Sequence, residues 1–291
     1  MRQATAVLAA SCACVSAAHA QEVINAPSAT LPSPGALVTR FQFRAYEFRR
    51  EPEPPGRAGW QLEYLFWAAY GLTPELAVEA KLPLFQQEMS SDETIGTGAG
   101  GAATSTPSSF DDHAIGLGDL DLGLKLRVWK ADLGPVDTIR LAVLGGVEIP
   151  TGTEGFGSSS VDPYLGTALT SIFGRHGFGA AVRWTFTTGS AFDPLFAGDT
   201  TADLLRLDAS YVFRVYPEEY GELHEAAWYA VAEVNSYYET NGDWQVLFSP
   251  ALLIEAPRWA LEAGVQIPVY QDVSGRPELR LGFVLGLRLL F

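Results

Sequence analysis

Hydrophobic residues recur at every second position of this chain over long runs. In its last fifteen residues, PELRLGFVLGLRLLF, one parity carries Leu279, Leu281, Phe283, Leu285, Leu287, Leu289 and Phe291. The other parity carries Arg280, Gly282, Val284, Gly286, Arg288 and Leu290. A period of two is the strand signature, with alternate side chains on opposite faces. The run is about twice the ~5–6 residues usual for strands in soluble proteins. The same pattern returns in LDLGLKLRVW, where Leu120, Leu122, Leu124, Leu126 and Val128 oppose Asp119, Asp121, Lys125 and Arg127. In RWALEAGVQIPVY, Trp259, Leu261, Val265, Ile267 and Val269 oppose Arg258, Glu262 and Gln266. In TIRLAVLGGVEIP, Ile139, Leu141, Val143, Val147 and Ile149 oppose Arg140 and Glu148.

Twelve such segments are predicted, at 36–49, 58–72, 75–87, 114–130, 136–150, 160–173, 177–188, 202–216, 225–239, 243–255, 258–270 and 278–291. The even connections between them are mostly short (LTP, ADLGP, GRH, PEEYGELH, AP) and most of the odd ones long or flexible, from EPEPPGR to the 25 residues 88–112. Short turns on one side and long loops on the other, with an even strand number, are the habit of bacterial outer-membrane barrels. No stretch after the N-terminus offers the 18 or more consecutive apolar residues of a membrane helix. In lipid only helices and closed barrels satisfy every backbone polar group. The expected fold is therefore all-β: a closed antiparallel transmembrane β-barrel of about 12 strands, an up-and-down meander over residues 36–291. A soluble β-sandwich, or a calyx with the apolar face inward, would alternate too. Both fit poorly with strands this long carrying charges mid-strand.

Aromatic placement follows the same frame. Trp60, Trp184 and Trp244 fall near the expected outer ends of strands, and Trp129, Trp228 and Trp259 near the inner ends, while Phe291 closes the last strand. Rings with an apolar body and a polar tip settle at membrane–water interfaces. Trp67 has the polar-face parity and is expected to point into the barrel.

The first twenty residues, MRQATAVLAASCACVSAAHA, have the form of a secretory signal peptide: a basic Arg2, an Ala-rich stretch and an Ala18-His19-Ala20 cleavage site. Both cysteines, Cys12 and Cys14, fall inside it, so the expected mature chain has no thiol for a disulfide or a Cys-based metal site. Without Arg2 the chain has 18 basic against 34 acidic residues, a net charge of −16. That argues against nucleic acid, whose binding needs basic patches. Residues 21–35 are Pro-rich and without strand character. They are expected either as a periplasmic lead or as a short plug folded into the lumen.

Two stretches carry a family resemblance. GLGDLDLGLKLRVW (116–129) contains Gly116, Gly118 and Asp119. AVLGGVEIPTGTEGFGSSSVDPYLGTAL (142–169) contains Pro150, Thr151 and Gly152, then Gly157 to Ser160, then Asp162. A G-x-G-D strand, a strand ending in a PTG turn, a Gly/Ser loop and a strand opening on aspartate resemble the outer-membrane transporter family named for the MetA pathway of phenol degradation. The resemblance is specific over these strands and architectural elsewhere. It implies a barrel in the bacterial outer membrane, reached after export, that passes small, hydrophobic or aromatic molecules without ATP, and it names no solute. The aromatic C-terminus is similar to the signal by which the barrel-assembly machinery takes up such proteins. The implied partners are outer-membrane lipid, lipopolysaccharide, that machinery and the solute.

By parity the lumen receives Arg40, Arg44, Glu63, Glu79, Lys81, Asp119, Asp121, Lys125, Arg127, Arg140, Glu148, Arg183, Arg206, Asp208, Arg214, Glu233, Glu255, Glu262, Arg280 and Arg288. This mixture of signs reads either as a polar path or as a ladder of ion pairs. Unpaired charges in a barrel interior are costly, which favours pairing. Asp119 and Asp121 share a face with Lys125 and Arg127, so an ion-pair ladder is favoured there over a cation site. The Gly/Ser-rich loop 152–160 joins two strands and lacks the strand-to-helix context of a phosphate cradle. Residues 88–112, with 13 Gly, Ser or Thr, are expected as a lid over the mouth or a disordered loop. Of the histidines, His176 and His224 fall at inner turns. His113, beside Asp111, Asp112, Ser108 and Ser109, is the one candidate for an outer-wall lipid hydrolase. No catalytic residue, cofactor or metal is expected. A structural or binding barrel without transport is the alternative function.

Overall fold

The computed structural model describes residues 23–51, 56–92, 109–189, 195–198, 200–219, 226–274 and 276–291. The expected signal peptide, His224 and the centre of the 88–112 stretch lie outside the described residues. Thirteen strands follow in order: β1 Leu37–Phe48, β2 Ala58–Gly71, β3 Leu76–Asp92, β4 Ser109–Leu117, β5 Leu120–Asp132, β6 Thr138–Ile149, β7 Asp162–Phe173, β8 His176–Thr185, β9 Leu204–Tyr216, β10 Ala227–Glu239, β11 Trp244–Ala256, β12 Trp259–Asp272 and β13 Leu279–Leu290.

Every pairing is between sequence neighbours and antiparallel, except that β1 also pairs β13 and β3 pairs both β4 and β5. The first exception closes the sheet into a barrel. The second explains thirteen strands in twelve staves: β4 runs against Leu84–Asp92 of β3 and β5 against Leu76–Lys81. Together β4 and β5 form one stave, interrupted at Gly118–Asp119. Residues 88–92 and 109–112, expected as loop, instead lengthen the β3–β4 hairpin.

The oily face is outside. Phe66, Leu124, Leu165, Leu252, Val269, Phe283 and Leu285 are all more than half exposed. Charged and polar residues of the opposite parity, among them Gln42, Lys125, Asp208, Glu233, Glu262 and Arg288, are buried. That distribution rules out the sandwich and the calyx, both of which bury the apolar parity. The chain ends by knitting the barrel shut: Phe291 N donates to Leu37 O at 2.8 Å, and Leu37 N to Phe291 O at 3.1 Å.

One expectation fails at the last strand. Glu47 pairs Leu281 and Phe48 pairs Leu279, so Arg280 is an extra residue in a β-bulge. Such a bulge shifts the alternation by one position. Leu279, expected on the lipid side, is buried inward against Tyr46, Phe48 and Leu247. Arg280, expected in the lumen, lies exposed on the outer rim and pairs with Glu47.

Residues 23–35 run through the interior. Val23, Ile24, Ala29 and Thr30 are buried. Their backbone bonds reach around the wall: Arg40 of β1 donates to Val23 O and Ile24 O, both at 3.0 Å, and Arg206 of β9 to Asn25 O at 2.6 Å. Glu233 of β10 accepts from Ile24 N and from Asn25 N, the latter at 3.0 Å, and Thr170 Oγ1 of β7 accepts from Ala29 N at 2.9 Å. Strands from opposite parts of the barrel hold one short segment, so it crosses the lumen. It leaves at the β2–β3 turn, where Gly35 N donates to Gly71 O at 2.8 Å.

Candidate functional site

Above the N-terminal segment lies a cavity of about 360 Å³. Its floor is Ile24, Asn25, Ala26 and Pro27, and its roof is Phe156 and Gly157 of the β6–β7 loop with Phe196 and Ala197 of the β8–β9 loop. Phe156 stacks near-parallel to Phe85, and Phe196 meets Tyr46 and Phe48 edge-on with centroids at 4.6 and 5.3 Å. The walls combine Tyr46, Leu65, Trp67, Pro83, Phe85, Tyr164 and Tyr237 with charged side chains. Trp67 thus faces the lumen, as its parity predicts.

The charges come in matched groups. Arg40 grips Glu262 with two parallel bonds, Nε to Oε1 at 2.8 Å and Nη2 to Oε2 at 2.7 Å, and Gln42 and Arg288 add to the same carboxylate. Lys81 and Arg183 flank Asp121 at 3.2 and 3.5 Å, Tyr164 donates to its other oxygen at 2.8 Å, and Arg183 lies over the Tyr164 ring. Lys125 meets Glu79 at 2.7 Å, Arg206 meets Asp208 at 2.9 Å, and Arg44 approaches Glu63 at 3.8 Å. Six cations line the cavity (Arg40, Arg44, Lys81, Lys125, Arg183, Arg206) beside five acids (Glu63, Glu79, Asp119, Asp121, Glu148). Glu262 and Asp208 lie just behind two of those cations, so no single-sign field is focused on the space.

The remaining predicted lumen residues are elsewhere on the inner face. Glu233 is under the N-terminal segment, whereas Asp119, though it lines the cavity, turns its carboxylate toward the β6–β7 loop. Near the inner rim, Arg127 reaches Pro74 O, Arg140 Nε donates to Thr138 Oγ1 and Arg214 donates to Glu218 O. Glu255 is buried near the same end of β11. Trp129, Trp228, Trp244 and Trp259 are exposed on the outer wall and Trp60 and Trp184 partly so.

Alternation could not reveal the roof, and of the uncharged wall it placed Trp67 alone. Phe156 and Phe196 sit in irregular loops, where their one signal is an aromatic ring amid Gly, Ser and Asp. Arg276, in the β12–β13 loop, is buried against Glu239 at 3.3 Å and Asp243 at 3.6 Å, a closure on the outer side that periodicity does not register. His113 is exposed, its Nδ1 3.6 Å from Glu88. His176 Nδ1 lies 2.8 Å from the Tyr211 hydroxyl.

A model of the family described as "Putative MetA-pathway of phenol degradation" matches residues 62–211, just over half of the chain. No curated protein matches it. Among solved structures it is similar to the COG4313 outer membrane channel from Pseudomonas putida F1, at 15% identity over 93% of this chain and 100% of that one, with a TM-score of 0.54. It also matches the Ralstonia pickettii toluene transporter TbuX, at 10% identity over 89% and 90% of the chains (TM-score 0.45). A third match is the translocator domain of the autotransporter NalP from Neisseria meningitidis, at 13% identity over 89% and 90% (TM-score 0.43).

Proposed function

This chain belongs to the family described as "Putative MetA-pathway of phenol degradation", and from that premise we propose that it is an outer-membrane channel for passive passage of small hydrophobic or aromatic molecules. The observation that carries the reading is the cavity: aromatic walls, balanced charges and a volume of about 360 Å³, within the ~300–1,000 Å³ range of small-molecule sites. An uncharged ring gains contact area there, while an ion finds neighbours most of which are already paired. The exposed leucines and phenylalanines would face acyl chains, the six outer-wall tryptophans and Phe291 would sit at the two interfaces, and lipopolysaccharide would surround the outer rim. In this reading the C-terminal strand is what the assembly machinery recognises, and export depends on residues 1–20. The lumen residues named above act as the ladder that stiffens the barrel and sets the polarity of the path.

Outer-membrane vesicles with a lipopolysaccharide outer leaflet test the proposal, with and without the protein. Uptake of an uncharged phenol should accelerate more than uptake of a sugar of similar size. Equal acceleration of both would indicate an unselective pore. No acceleration of either would favour a second reading, a binding or structural barrel, which the N-terminal segment across the lumen supports.

A further inference from the structure

The stave break at Gly118–Asp119 is bridged by the loop it faces. Gly118 N keeps a bond to Pro83 O at 2.9 Å, but the flanking amides turn to the β6–β7 loop: Leu117 N donates to Thr153 Oγ1 at 3.1 Å and Leu120 N to Thr151 Oγ1 at 3.0 Å. Thr153 N donates back to Leu117 O at 2.7 Å. Freed from the regular ladder, Asp119 points at the same loop and is buried. Its Oδ1 accepts from Gly152 N at 2.8 Å, and its Oδ2 accepts from Ser158 N at 2.7 Å and from Ser158 Oγ at 3.1 Å. Both ends of the segment 152–158 are thus tied to one carboxylate, and Phe156 is at its crest. The glycines fit this arrangement: a Cβ on Gly116 would overlap the Phe156 ring, and one on Gly157 would overlap the Asp119 carboxylate.

We propose that Asp119 is a positioning residue for transport, holding the 152–158 loop inward so that Phe156 roofs the cavity and limits the size of solute admitted from outside. The G-x-G-D and PTG motifs are then two halves of one latch. The proposal rests on the channel reading for its consequence but not for its geometry. Hydrogen bonds to a charged acceptor are roughly twice as strong as neutral ones. Removing all three should therefore lower the docked-to-released ratio of the loop by about 1,000-fold or more, leaving it mostly released.

The test has two arms on the full chain, with Cys12 and Cys14 changed to Ala. In the first, Phe85→Cys and Phe156→Cys are joined by a short bifunctional thiol reagent, since the native rings stack with centroids 6.2 Å apart. Adding Asp119→Ala should slow cross-linking about tenfold. Asp119→Asn, which keeps an acceptor, should fall between. In the second arm, uptake into lipopolysaccharide-bearing vesicles is measured for uncharged phenols of increasing ring number. Asp119→Ala and Phe156→Ala should admit larger solutes to a similar degree, and combining them should add little. Unchanged cross-linking in Asp119→Ala overturns the latch. A size limit unmoved by Phe156→Ala, with smaller phenols still passing, overturns the roof. If the wild-type protein passes no solute, the channel reading fails, and the cross-linking arm alone then decides for or against the latch. Heat-modifiable gel migration verifies that each variant is a folded barrel, and Phe156→Ala leaves the barrel wall untouched.

Discussion

The N-terminal segment makes the most direct prediction, because its anchors can be removed one at a time. A 12-stranded barrel with strands ~4.8 Å apart and tilted about 40° has a backbone radius of roughly 12 Å. Inward side chains take about 5 Å of that, half the ~10 Å spacing of packed sheets, leaving a central area of roughly 150 Å². An extended chain, about 4.8 by 10 Å in section, fills some 50 Å² of it. The side chains that grip the segment, Arg40, Gln42, Arg206 and Glu233, fill more. Deleting residues 23–33 should therefore raise single-channel conductance in planar bilayers by roughly two-fold or more.

Glu233→Ala probes the same device without shortening the chain. The wild-type carboxylate accepts the amides of Ile24 and Asn25 in a fully buried setting. Bonds to a charged group are worth about 1.5–3 kcal/mol each, so losing two costs at least ~3 kcal/mol of docking. That corresponds to more than about 100-fold in the docked-to-released ratio. Val23, Ile24 and Ala29 remain buried and Arg40 keeps its carbonyls, so release should be transient. The expected record is wild-type current interrupted by openings to the level of the deletion variant, about 100-fold more frequent than in wild type. Glu233→Gln, with one acceptor left, should open less often. A Glu233→Ala trace identical to wild type, beside a deletion that does conduct more, refutes the assignment of the anchor. A deletion with unchanged conductance refutes the larger claim that this segment obstructs the path.

Three further outcomes follow from where the charges and rings lie. Arg40→Ala removes two charge-assisted bonds to the buried Glu262 carboxylate, which keeps Gln42 and Arg288, and should destabilise the barrel by about 3 kcal/mol, whereas Arg280→Ala, at an exposed rim pair, should cost under ~1 kcal/mol. Urea unfolding in lipid vesicles separates the two, and equal losses would contradict the bulge. Leu285→Arg should cost about 2–4 kcal/mol in the same assay, because Leu285 lies on the outer wall mid-strand and a charge there would face acyl chains. A neutral effect would place that face away from lipid. Trp67→Ala should weaken binding of an uncharged phenol, read by calorimetry in detergent, at least several-fold, since one wall aromatic is lost beside Leu65 and Phe85. Unchanged affinity would put the ligand elsewhere.

How far the sequence reaches is decided by where the backbone stays regular. Along β5, β6, β8 and β12 the ladder is continuous over the central residues, so a parity rule places Lys125, Glu148, Arg183 and Glu262 on the inner face without any knowledge of their partners. The pairs themselves were not legible, because Arg40 and Glu262 are 222 residues apart and meet only once β13 joins β1. A single inserted residue defeats the rule outright: with Arg280 the extra residue of the bulge, Leu279 before it exchanges sides, which is why Leu279 is a cavity wall and Arg280 a rim residue. Asp119 is the converse case. Its parity was right, but the strand there is broken, and its partners are loop amides that no periodic pattern encodes. The family motif marks the place, since glycine at 116 and 157 is required by the close approach of Phe156 and Asp119. The periodic parts of the chain thus build the wall, and several of the places where periodicity stops (the N-terminal segment, the 118–119 break and the two aromatic loop tips) meet around the lumen. A barrel needs no such interruptions to be stable, so their shared location around one cavity is the strongest structural argument that the cavity is what the fold is for.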